Sequence, residues 1–305
     1  MSGGIIFMNS EQFQKKIQAA KKTDKVVTTI LYVIGGFFLA LLIVLAAYIL
    51  IKGAMGFKPS YLSFTSEGIG NQFFNTLYLV VLSLIISVPI GIGAGIYLAE
   101  YAGDNKLTAV IRISIESLSS LPSIVVGLFG YLVFILMTGM DWNLFAGALA
   151  VSILSLPSIT TTTEDALRSL PKSYKQGSMG LGASHWKAIT SVLLPACFPR
   201  IITGVILAAG RGFGEAAALL YTAGQSTVLN WHNWNLTSPT CPLNPFRSGE
   251  TLALHIWVLR TEGSLHANST DIANVAAAVL IILTLVFSLG ARQITRNITK
   301  KATGE

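Results

Sequence analysis

Gln176-Gly177-Ser178-Met179-Gly180-Leu181-Gly182-Ala183-Ser184-His185-Trp186-Lys187-Ala188-Ile189-Thr190-Ser191-Val192-Leu193-Leu194-Pro195 is a polar, glycine-punctuated stretch inside a basic connection between two long apolar runs. Pro171, Pro195 and Pro199 cut that connection, and prolines tend to start or end helices. The pattern predicts one helix running out of the preceding apolar run to Leu170 and a second from Ser173 to about Leu181. Gly180 and Gly182 suit the turn that follows, where the backbone needs freedom. Ser184 is placed to N-cap a short third helix with His185, Trp186 and Lys187 in its first turn. A Trp in a polar loop is unusual unless something covers it, either the chain's own helix ends or a docked partner.

The composition puts this connection on a membrane protein. Apolar residues make up 52% of the 305 and charged residues 11%, with a mean hydropathy of +0.63, whereas ordinary soluble domains carry roughly 25% charged residues. A spanning helix needs about 20 predominantly apolar residues, and six stretches qualify: Val26 to Ile51, Phe73 to Ala99, Ser117 to Met140, Trp142 to Thr163, Pro199 to Gly224 and Ile272 to Ala291. The expected fold is an all-α polytopic membrane protein of six transmembrane helices. The first run exceeds the roughly 7 to 15 apolar residues of a signal peptide's core, so it reads as a retained helix. The expected division is a tail over 1–25, a first transmembrane helix over 26–52, a membrane core over 68–296 and a tail over 297–305. The core holds an inner connection at 164–199 and an outer loop at 225–271. Spans three and four, separated by little more than Asp141, read as antiparallel neighbours. Pro89, Pro122 and Pro157 fall inside spans two, three and four and are expected to bend them.

Lys and Arg gather on one side of such an arrangement. Lys15, Lys16, Lys21, Lys22 and Lys25 precede span one, and Lys106 and Arg112 follow span two. Arg168, Lys172, Lys175, Lys187 and Arg200 follow span four, and Arg292, Arg296, Lys300 and Lys301 end the chain. Such cations favour the cytoplasmic side, which places both termini there. The net charge of +7 then reads as topology and contact with anionic lipid rather than nucleic-acid binding, for which no interleaved basic and aromatic patch exists. Cys197 and Cys241 fall on opposite faces of the membrane and cannot pair. The outer loop carries Trp231, Trp234 and Trp257, which suit the lipid headgroup level, and Thr251 to Leu259 fits a short helix. The loop reads as an interfacial loop or as a docking surface for an external partner.

Apart from Arg200 at the very start of the fifth run, Arg211 and Glu215 are the only charged residues inside the six runs. An ionisable group at the middle of a span costs about 2.5 to 3.5 kcal/mol on insertion scales, so it usually faces a pathway or a partner. Four apart on one helix, the two would share a face. They form either an internal salt bridge that holds helices together or a station for an anion, with Arg211 supplying the cation and Glu215 orienting it. Gly91 with Gly95, and Gly210 with Gly214, make small-residue faces that allow close helix approach. Enzyme chemistry has no foothold: His185, His232, His255 and His266 show no metal spacing, and neither a phosphate-binding glycine loop nor a nucleophile elbow occurs.

Gly182, nine further residues and Val192-Leu193-Leu194-Pro195 resemble the signature loop of permease subunits in ATP-binding-cassette importers. Gln176-Gly177-Ser178 stands where that loop carries Glu-Ala-Ala. Pro89-Ile90-Gly91, Tyr97-Leu98-Ala99-Glu100-Tyr101, Leu121-Pro122-Ser123-Ile124-Val125-Val126-Gly127-Leu128, Thr163 to Pro171 and Gly210-Arg211-Gly212-Phe213-Gly214-Glu215 narrow the resemblance to the PstA family of phosphate transport permeases, from about Gly68 onward. The family commonly has a proline where this chain has Ala218.

The resemblance implies a type I importer permease fold in a bacterial plasma membrane. It implies that Gln176, Gly177, Gly180, Leu181, Gly182, Ala183, Ser184, His185, Trp186 and Pro195 couple the chain to an ATPase, with Leu181 to Ile189 transmitting the motion. It further implies a pathway for inorganic phosphate shared with a second, PstC-like permease, two PstB-like ATP-binding subunits and an extracytoplasmic PstS-like phosphate-binding protein. This chain would bind no cofactor, with ATP and magnesium on the partner subunits. Importers of molybdate, sulfate or phosphonate, and a channel or carrier working alone, are the alternatives.

Overall fold

The computed structural model describes residues 10–65, 68–103, 105–226, 228–262 and 268–303. The first nine residues of the N-terminal tail, the last two of the C-terminal tail and His266 lie outside them. Among the described residues the chain is helical with no strand, as a bilayer demands of any open chain whose backbone groups must find partners internally. It divides into two units, Met1–Ile51 and Lys52–Glu305. The first holds most of α1 (Ser10–Met55), one uninterrupted helix. The helix therefore takes in part of what the sequence assigns to a tail, because Ser10 to Lys25 contains no proline or glycine to stop it.

In the second unit α2 (Gly70–Ile96) passes into a wide π turn at Tyr97–Tyr101. Then come α3 (Lys106–Ser120), α4 (Ser123–Gly130) extended by a π turn at Tyr131–Leu136, and α5 (Leu144–Arg168). The short helices α6 (Lys172–Gly180) and α7 (His185–Ala188) follow, and a π turn at Ile189–Leu193 joins α7 to α8 (Leu194–Phe213). The chain closes with α9 (Ala217–Thr222), α10 (Leu252–Thr261) and α11 (Ser269–Thr303), the last running past the expected boundary at Asn297. Five helical stretches are long and apolar enough to cross a bilayer, and a bent pair supplies a sixth if taken as one span.

That pair corrects the expected third span. Its helices, Lys106–Ser120 and Ser123–Leu136, meet at 104°. Pro122 has no N–H to continue the helix and drives the residue before it out of helical geometry; Leu121 has ψ 133° and Pro122 ψ 137°. Ser117 to Ser120 thus belong to α3, and the connection to α5 runs over 137–143 instead of a single residue. Asn143 caps α5 by accepting the Ala146 N–H at 2.8 Å.

The core centres on α2 and α5, the most extensively packed pair. A Cβ on Gly91 would fall 2.7 Å from Cγ2 of Ile159, and one on Gly95 would fall 2.5 Å from Cβ of Thr163 and 2.8 Å from the Thr160 carbonyl oxygen. The buried faces are small and polar as often as aliphatic, with Ser83 and Ser87 on α2 and Ser152, Ser155, Thr160 and Thr163 on α5. Ser152 Oγ lies 3.0 Å from the Ser83 carbonyl oxygen across the interface. Small residues let backbones approach where lipid offers no hydrophobic drive for helices to associate. The second glycine pair behaves differently: among the described residues a Cβ on Gly210 would meet nothing within 4 Å, and one on Gly214 only the Arg211 carbonyl oxygen at 3.9 Å.

The outer loop folds onto the first turns of α2. Trp231 donates through Nε1 to Asn71 at 3.0 Å and meets Phe64 and Phe74 edge to face. Tyr78 donates its hydroxyl to the Leu243 carbonyl. Arg247, only 2% exposed, donates to Asn75 Oδ1 at 2.6 Å and to the Pro242 and Ser248 carbonyls. Burial pulls its guanidinium down to about 10, so it keeps its charge at neutral pH. Glu250 accepts from Gln72 and pairs with His255 at 2.7 Å. Cys197 and Cys241 are free and buried.

Replacing Gly95 by Leu should destabilise the fold by about 1–3 kcal/mol through overpacking against α5. The midpoint of thermal unfolding in detergent should fall, whereas Gly93→Ala, where an added Cβ meets nothing within 4 Å, should hold or raise it.

Candidate functional site

Two places concentrate the residues expected to act. The first is the segment from α6 to the start of α8. Gly182 has φ +88°, a conformation open to glycine at little cost. Its N–H donates to the Met179 carbonyl at 3.0 Å, and the Ala183 N–H reaches back to the Ser178 carbonyl at 3.2 Å, closing the end of α6 with the two bonds of a left-handed C-cap. Ser184 then accepts the Lys187 N–H at 3.3 Å and starts α7. Gly180, by contrast, keeps helical geometry as the last residue of α6. Pro195 sits in the first turn of α8, where a missing N–H does no harm.

This segment has an inner and an outer side. Ala188, Ile189 and Leu193 are buried, the last two in a cluster with Ile96 of α2, Ala166 and Leu167 of α5, and Cys197 and Ile201 of α8. Outward stand Leu181, 92% exposed, Trp186, 58% exposed, and Tyr174 and Met179, with Gln176, Gly177 and Gly180 also uncovered. Trp186 is therefore not covered by the chain's own helix ends.

Charged residues fasten the segment in place. Glu100, in the π turn that ends α2, accepts from Lys175 Nζ at 2.6 Å and lies 3.1 Å from His185 Nε2. The Tyr101 ring lies 4.9 Å from that imidazole. Close by, Glu164 receives Arg112 of α3 at 2.6 Å and Arg168 at 2.9 Å, and Arg168 also donates to the Leu98 carbonyl. Sequence reasoning assigned no role to Glu100 or Glu164. The available signal was an acidic residue at the end of an apolar run, with basic residues in the next connections.

The second place is the expected fifth span, which does not run unbroken from Pro199 to Gly224. Helix α8 stops at Phe213 and α9 begins at Ala217. Three glycines in Gly210-Arg211-Gly212-Phe213-Gly214 weaken the helix, each by about 1 kcal/mol relative to alanine. The chain tightens at the end, with the Gly214 and Glu215 N–H groups bonding to the Arg211 and Gly212 carbonyls. The short α9 remains within the bundle, where Ala218 clusters with Val126 of α4 and with Ala150 and Leu154 of α5.

Arg211 and Glu215 therefore do not share one helix face. Arg211 occupies the last turn of α8, exposed, with Nη1 3.4 Å from the Leu154 carbonyl oxygen. Glu215, 8% exposed, accepts the Ala218 N–H at 3.0 Å and caps α9. No ion pair joins the two among the described residues, which removes the internal salt-bridge reading. No metal-binding group of His, Cys, Asp or Glu occurs among the described residues.

A family profile described as binding-protein-dependent transport system inner membrane component matches residues 89–303. The chain belongs to this family. It is 46% identical over 290 residues to the probable ABC transporter permease protein YqgI of Bacillus subtilis (strain 168), covering 93% of this chain and 98% of that protein. It is 35% identical over 234 residues to the phosphate transport system permease protein PstA of Xylella fastidiosa (strain 9a5c), covering 74% of each. A chain of a bacterial alginate ABC transporter, crystallised with an alginate-bound periplasmic protein, superposes with TM-score 0.64 at 18% identity over 92% of this chain and 96% of that one. A chain of the MetNI methionine ABC transporter, facing inward, gives 0.56 at 16% identity over 79% and 99%.

The type I importer fold is thus established, and the permease is a non-catalytic, multi-pass inner-membrane subunit of an ABC importer. Such a subunit works with a second permease, a separate ATPase and a binding protein. Valine at position 182 should raise the energy of the α6 cap by about 1–2 kcal/mol, because a side chain there faces its own backbone in the left-handed region. Limited proteolysis of the purified permease should cut Gly182→Val faster between Gly180 and Ser184, with Gly180→Ala cut at the parental rate.

Proposed function

We propose that this permease and a second, PstC-like permease form the pathway for inorganic phosphate, with both termini cytoplasmic. The cycle is alternating access, in which ATP with magnesium on two PstB-like subunits biases a two-state helix arrangement. A phosphate-loaded PstS-like protein delivers the ligand from outside and favours one of the two states. The segment from Gln176 to Pro195 is the coupling surface, its uncovered Leu181 and Trp186 seated on an ATPase subunit.

The observation that carries this reading is the break in the fifth span beside Arg211. Non-helical backbone at membrane depth persists only where protein buries it or where it borders a water-filled cavity, and here an exposed guanidinium, in no ion pair among the described residues, stands next to it. Gly210 and Gly214 leave the surface beside it open. A guanidinium holds its charge at any working pH and presents a planar fork that two phosphate oxygens can accept from at once. Glu215, engaged in capping α9, keeps the break in shape and leaves the cation to the ligand.

The same donors suit other tetrahedral oxyanions, so the anion is decided by measurement. The permease, reconstituted in liposomes with its partner subunits and binding protein, should accumulate phosphate on addition of internal ATP. Stimulation of the ATPase by loaded molybdate-, sulfate- or phosphonate-binding protein, with none from phosphate, would transfer the assignment to that ligand. Arg211→Gln should lower uptake by about ten- to a hundredfold, on the scale of a lost charged contact, with assembly unchanged by co-purification. Normal uptake by that variant removes Arg211 from the pathway.

A further inference from the structure

We propose that Glu100 is a positioning residue for the transport cycle, fastening both helices that flank the Gly182 turn to the end of α2. Movement of the coupling segment then reaches α2 directly as well as α8 through the chain. The proposal rests on the reading of that segment as the coupling surface and adds a second output to it.

Glu100 stands where a carboxylate does nothing for its own helix. It lies in the final π turn of the α2 stretch, and the unsatisfied carbonyls at a helix C-terminus favour cations. Its position is explained by its partners. One oxygen, Oε2, serves both Lys175 at 2.6 Å and His185 at 3.1 Å. Lys175 belongs to α6 and His185 to α7, so the bond pair straddles the turn at Gly182 and ties its two arms to one point. Tyr101 holds the imidazole from the side, and Glu100's side chain is only 11% exposed. Arg168 adds a strut from the end of α5 to the carbonyl of Leu98, two residues before Glu100.

The rest of α2 is built to carry such a displacement. Its glycines seat it against α5, and the apolar cluster around Ile96, Ile189 and Leu193 holds the segment whether or not Glu100 is charged. Neutralising Glu100 should therefore leave the fold standing while loosening the tie.

The test uses the whole importer in proteoliposomes, with inorganic phosphate as the probe. Glu100→Gln should retain both ATP-binding subunits on co-purification and continue to hydrolyse ATP, while phosphate taken up per ATP falls about tenfold, within the usual range of coupling between sites. Glu100→Asp should recover part of the ratio, and Lys175→Ala should lower it in the same direction. An unchanged ratio in Glu100→Gln overturns the proposal. So does loss of the ATPase subunits from that variant, which would make Glu100 a docking residue. A separate arm tests the reading beneath: Trp186→Cys with Glu100 intact, alkylated by a thiol-reactive reagent bearing a photoactivatable group and then irradiated, should form a crosslink to the ATP-binding subunit. Its absence would remove the coupling surface itself, an outcome distinct from any change in the ratio.

Discussion

Everything else in the membrane core is arranged around the approach of α2 to α5 at Gly91 and Gly95. The two backbones lie so close that a single Cβ at either glycine would collide with Ile159 or Thr163. Within lipid this contact cannot come from burying apolar surface, since the surroundings are already apolar; it comes from shape, and from hydroxyls such as that of Ser152 reaching across to α2. One end of the pair presents Glu100 and Glu164, to which α3, α6 and α7 attach. Toward the other end of α2, Gln72 and Asn75 receive the folded outer loop.

Much of this was readable in the residues because it depends on local chemistry. Length and apolarity located the long helices of spans one, two, four and six. The caps around Gly182 and Ser184 were legible since a left-handed turn needs glycine and a helix start favours a serine. Thr251, expected near the start of a short outer helix, caps α10 through the Leu254 N–H.

Three features escaped for physical reasons. A bend at Pro122 was expected, but apolarity does not tell a bend within one span from a turn of 104° between two helices, so Ser117 to Met140 read as one span. The glycines around Arg211 read as a packing face, yet among the described residues a Cβ added to Gly210 would meet no other helix within 4 Å, and their effect is to end the helix. Arg247 read as an ordinary loop cation, and only the fold reveals that Asn75, 172 residues away in the chain, solvates it. The ties of Glu100 and Glu164 are of the same long-range kind, invisible to spacing. Two glutamates that looked incidental hold the cluster, while Glu215, singled out early, turns out to be a cap.

The π turn at Ile189–Leu193 keeps α7 and α8 in one column. From His185 to Phe213 the chain makes a single helical stretch of 29 residues, about 43 Å at 1.5 Å per residue. Such a column carries a tilt imposed at the Trp186 end toward Arg211, with the π turn, Pro195 and Pro199 as the points inside it where a helix bends most easily. The helix ends after Phe213, next to Arg211, so the largest interruption of this span lies beside the guanidinium at its far end.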